Sequence, residues 1–117
     1  GPLVTEQWAE ESWVLADPAA GAALRREEDR HRELWHRNSA ELGRDHPHTL
    51  AQSRALGLLL SRQRRWPEAE AALADCLLRL RRLPAPDAEV APVAAALEEA
   101  RAGCRRETKG RDGQFFL

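Results

Sequence analysis

The stretch Leu42–Leu83, LGRDHPHTLAQSRALGLLLSRQRRWPEAEAALADCLLRLRRL, decides the fold. Its second half carries Ala69, Ala72, Leu73, Cys76, Leu77 and Leu80 at i, i+3, i+4, i+7, i+8 and i+11, the rhythm of a helix with one apolar face. Trp66-Pro67 puts proline where a first helical turn tolerates it. Asp45-His46-Pro47 does the same one helix earlier, with Asp45 ready to cap. Helices are therefore predicted over 48–65 and 67–83, and so short a turn between them forces an antiparallel hairpin. Gly57 and Ala69 are small where the two helices must approach. Leu56, Leu60, Leu73 and Cys76 are expected to interlock around them as one buried seam.

Outward from this hairpin the punctuation repeats. Asp17-Pro18 opens a helix predicted over 18–42, preceded by another over 4–16. Pro84 and Pro86 break the chain before Asp87, and Pro92 suits the first turn of a last helix over 91–107, with Val93, Ala96, Leu97, Ala100 and Cys104 on its apolar face. In 18–42 the apolar line is Leu24, His31, Leu34, Trp35, Asn38 and Leu42, with Glu28 interrupting it, and the run Arg25–Arg30 reads as a wet, charge-paired face. A faint repeat is present: Leu42 to Leu83 and Leu56 to Leu97 are each 41 positions apart, as stacked helix pairs would require. The expected class is all-α, built of antiparallel helical hairpins.

Composition agrees. The 117 residues are 43% apolar and only 5% aromatic, so the core must be built mainly of Ala and Leu, both good helix formers. The 18 basic and 19 acidic residues balance to a net charge of −1, which speaks against a nucleic-acid binder. Cys76 and Cys104 are too few for a disulfide framework and have no metal-ligand spacing; both read as small buried apolar residues in a reducing, cytoplasmic setting. No apolar run is long enough to span a membrane, and no signal peptide is present. Gly1-Pro2, with no initiator Met, reads as a tag remnant on a piece of a longer protein, leaving 3–107 as the helical domain and 108–117 as a flexible tail.

The entry Leu42-Gly43-Arg44-Asp45-His46-Pro47-His48-Thr49-Leu50 is followed by Leu56-Gly57, Leu60, Trp66 and Glu68-Ala69-Glu70 with Leu73 and Cys76. Together these resemble one tetratricopeptide repeat (TPR), of the longer variety found in kinesin light chains. The resemblance implies a short TPR-like superhelix of about two repeats plus a capping helix. Residues 4–42 would be a degenerate first repeat, and 91–107 the cap, since Glu98 stands where a repeat wants a small residue. An unrelated five-helix bundle is the alternative.

The resemblance also implies a protein–protein interaction module, a scaffold or adaptor, with no catalytic role. Ala51, Arg54, Leu58 and Ser61 would face a concave peptide groove with Arg62 at its rim. Where the family usually has an Asn to hold the peptide backbone, this chain has Arg54 or Ala55. A guanidinium beside a leucine suits an acidic-hydrophobic protein or peptide; the plainer reading is that Arg54 pairs with a neighbouring Glu. The segment TEQWAEESW (5–13) vaguely resembles the tryptophan-acidic peptides such domains bind, though its tryptophans equally suit packing of the first helix. A rival function is self-association, as a homodimerising or solenoid-capping element.

Nothing points to catalysis, a metal or a cofactor. His31 and His36 diverge on a helix, His46 and His48 belong to the loop motif, with His46 in a capping or packing role, and no phosphate loop or nucleophile motif occurs. After Arg106 the chain reads ETKGRDGQFFL, whose apolar end, Phe115, Phe116 and Leu117, is expected to be a docking peptide for a groove of the same or a neighbouring copy.

Overall fold

The computed structural model describes residues 17–84 and 87–115, with residues 110–115 described by backbone alone. They form four helices: α1 (Pro18–Leu42), α2 (Pro47–Arg62), α3 (Trp66–Arg82) and α4 (Asp87–Phe115). The described chain is all-α. Each helix packs on the next, and α2 also touches α4. The predicted helix 4–16 lies outside the described residues.

Local chemistry sets each boundary. The Asp17 carboxylate accepts from the Ala19 amide at 2.9 Å, capping α1 ahead of Pro18. Asp45 was expected to cap α2 but does not. With Pro47 as first helical residue the capping position falls on His46, whose Nδ1 accepts from the His48 amide at 3.1 Å. Asp45 instead reaches Arg79 on α3 at 2.9 Å. The fully buried Thr49 donates its hydroxyl to the Gly43 carbonyl at 2.7 Å, and Gly43 turns the chain with φ 91°. The DHPxT entry is thus a loop staple: cap, proline, buried hydroxyl and an ion pair to the next helix. α2 stops short of the predicted 65 because Arg64 adopts φ 59°, which no right-handed helix accommodates.

The seam between α2 and α3 is as expected. Leu56, Leu60, Ala69, Leu73 and Cys76 are buried, and a Cβ placed on Gly57 would lie 2.5 Å from Leu73 Cγ. Trp66, the first residue of α3, lies flat against Gly103 of α4, where an added Cβ would fall inside the indole. Val93, Leu97 and Ala100 complete the core from the α4 side.

Two expectations fail on α4. It begins at Asp87 rather than 91, so Pro92 lies inside it. Pro92 is exposed, so water can satisfy the carbonyl its ring leaves without a donor, while Val90 and Val93 bind the early turns to the core. It also runs to Phe115, through the stretch read as a flexible tail. Gly110 and Gly113 cost about 1 kcal/mol each relative to alanine, and that does not stop a helix already anchored on α3.

Glu28, read as an interruption of α1, is its only fully buried residue. Its carboxylate accepts from Arg32 at 2.8 Å, from Gln63 at 3.0 Å and from Arg65 at 2.7 Å. It therefore ties α1 to the α2–α3 turn. Burial pushes the carboxyl up, but the hydrogen bonds from Gln63 and Arg32 and the charges of Arg65 and Arg32 outweigh it and hold it below the usual value of 4.5. A lowered folded value means the stabilisation is complete above pH 4.5 and is lost as pH falls through the folded value. Glu28→Gln should cost about 1–3 kcal/mol at neutral pH. Urea unfolding should show that the difference from the parent protein shrinks at acid pH; an unchanged difference would contradict the network.

Candidate functional site

α2 and α4 each run antiparallel to α3, so their first turns flank the C-terminal half of α3. Between them opens a groove of about 510 Å³. Pro47, Ala51 and Arg54 form the α2 wall, and Glu89 and Val93 the α4 wall. Leu50, Cys76 and Leu80 form the floor, with Leu83 and Pro84 at one end. The groove is open because Ala51 offers only a methyl group where a longer side chain would fill the space.

The floor is uncharged. The Cys76 thiol is completely buried and donates to the Leu50 carbonyl at 3.6 Å. Burial pushes it up to about 11, the Asp75 charge adding to the effect and Arg54 opposing it. It therefore stays a neutral thiol and is no nucleophile at neutral pH.

The rim is charged, and its charges are not equivalent. Asp45 is paired with Arg79, which also binds Asp75 at 3.0 Å. Hydrogen bonds to Asp45 and Asp75 raise Arg79 above its ordinary range. Glu89 stands in the first turn of α4, where the helix end favours negative charge. Arg54 is exposed and makes no hydrogen bond or ion pair with any described residue. The expected pairing with a neighbouring Glu does not occur among them.

The five positions expected to share one groove are divided. Ala51 and Arg54 line the groove just described; Leu58, Ser61 and Arg62 line a second cleft of about 420 Å³ with His31 and Glu99. Leu58 is 41% exposed there. The floor residues Leu50, Cys76, Leu80 and Val93 were legible only as core, because a groove floor and a helix seam share one apolar spacing.

Of the expected docking tail, Phe115 is the last residue of α4 and is described by its backbone alone, and Phe116 and Leu117 lie outside the described residues.

The histidines have local partners: His31 meets Gln52 at 2.6 Å, His36 lies edge-on to Trp35, and His46 lies edge-on to His48. Among the described residues no group of His, Cys, Asp or Glu is arranged to hold a metal ion, and no helix is long and apolar enough to cross a membrane. Comparison with protein-family models, curated proteins and solved structures gives no match, so the functional reading rests on the geometry of the chain itself.

Proposed function

We propose that the protein is a protein–protein interaction module, a short TPR-like stack of helical hairpins that receives a segment of another protein between α2 and α4. The observation that carries this reading is the groove itself. Its volume of about 510 Å³ falls within the roughly 300–1,000 Å³ of ligand sites, and its apolar floor with few polar groups at the edge is their usual make-up. The hairpin seam around Gly57 and Leu73, and the stapled DHPxT loop, support the TPR-like reading of the stack.

Selection of random dodecapeptides on phage tests the module reading. The parent chain should enrich binders that Ala51→Trp, which fills the groove from an exposed position, weakens at least about tenfold, or 1.4 kcal/mol. Enrichment of nothing, or binders indifferent to Ala51→Trp, would sink it. Light scattering checks the rival reading of self-association: a stable dimer unaffected by Ala51→Trp would favour that rival.

A further inference from the structure

We propose that the first turn of α4 is a movable wall of the groove. In the free chain it exchanges between a helix begun at Asp87 and one begun at Pro92, and a bound segment selects the first. This rests on the reading of the groove as a docking site and names the element that regulates it. The helix begins at Asp87, which puts Pro92 at its sixth position. There proline has no N–H to give the Ala88 carbonyl, and it disfavours the helical conformation of Ala91 before it. A helix begun at Pro92 removes both conflicts: the missing donor is not needed in a first turn, and Ala91 becomes extended. Two features hold the longer form. Asp87 and Glu89 lie in the first turn, where the helix end favours negative charge. Val90 is half-buried against the core, while Asp87, Ala88, Glu89, Ala91 and Pro92 are exposed, so Val90 is what ties the turn down. Opposed preferences within one short turn make a two-state element. Release of the turn carries Glu89 out of the groove wall and stops at Val93, which is 1% exposed. A segment that touches this wall binds the wound form better, so its apparent affinity follows the wound fraction.

Pro92→Ala and Val90→Ala push the turn in opposite directions, and neither residue lines the groove. In the full chain without peptide, Cα chemical shifts should show residues 88–90 less helical than residues 94–100. Pro92→Ala should bring the two stretches level, and Val90→Ala should widen the difference. The synthetic peptide enriched by the phage selection is the probe for binding, followed by fluorescence anisotropy. Pro92→Ala should tighten it by no more than about twofold, because the wound form already prevails. Val90→Ala should weaken it about threefold to tenfold. The double variant should regain most of that loss, since a helix without the proline does not need Val90 to stay wound. Fully helical shifts at 88–90 in the parent chain would overturn the proposal. So would shifts that Pro92→Ala leaves unmoved, the mark of an ordinary frayed end. A Val90→Ala loss that persists undiminished beside Pro92→Ala would make Val90 a plain packing residue and overturn it too. Failure to enrich any peptide removes the docking reading, while the shifts still decide whether the turn has two starts.

Discussion

Gly57→Leu should destabilise the protein by about 3 kcal/mol, at the upper end of what overpacking a core ordinarily costs, and lower its melting temperature by roughly 10 °C. The penalty is fixed by Leu73. A side chain starting at Gly57 would meet Leu73 Cγ at 2.5 Å and Cδ2 at 2.6 Å, and Leu73 has no exposed surface into which it could swing. The helices must move apart or Leu73 must leave its rotamer, and either loosens the seam that holds α2 to α3. Leu73→Ala also costs stability, because it opens a cavity. The pair Gly57→Ala with Leu73→Ala should nevertheless lose less than the two single changes added together. Additive losses in thermal unfolding would mean that the two residues do not touch.

Trp66→Ala should cost about 3–5 kcal/mol, the range for removing a large buried aromatic side chain. Trp66 is 9% exposed, lies against Gly103, and has the Arg106 guanidinium 5.7 Å from its ring centre. It is the joint between the start of α3 and the second half of α4. Residues beyond Cys104 continue α4 past this joint, so their helical order should depend on it. Hydrogen exchange should therefore speed up most in α4 beyond residue 103 in the variant, while the α2–α3 seam changes less. Uniform acceleration would show that Trp66 serves the core as a whole. Unchanged stability would contradict its placement.

Much of this architecture was legible in the sequence. The i, i+3, i+4 spacing of Ala69, Leu73, Cys76 and Leu80 specifies one buried face, and all four are buried. Gly57 and Gly103 behave differently in this respect. The first stands inside an apolar run and signals close approach; the second follows Ala100 in a stripe that already contains Cys104, so its role against Trp66 was hidden. Glu28 was misread because periodicity assigns a carboxylate on the apolar line to a break. Its three partners come from Arg32, Gln63 and Arg65, two of them more than thirty residues away, and no local pattern reveals such a pairing. The end of α4 was misread for a related reason: glycine lowers helix propensity locally, but anchoring upstream decides whether the helix continues. Of the candidate site, Arg54 and Ala51 were legible from the TPR resemblance. The division of their stripe into two clefts was not, since it depends on where α4 lies across α2.

The most direct measurement of the central claim is an amide chemical-shift map of the full chain titrated with the peptide selected against it. Shifts should concentrate at Ala51, Arg54, Leu80 and Val93, around the groove, with Leu58, Ser61 and Arg62 little changed. Shifts confined to those three, around the second cleft, or spread without pattern over the surface, would contradict it.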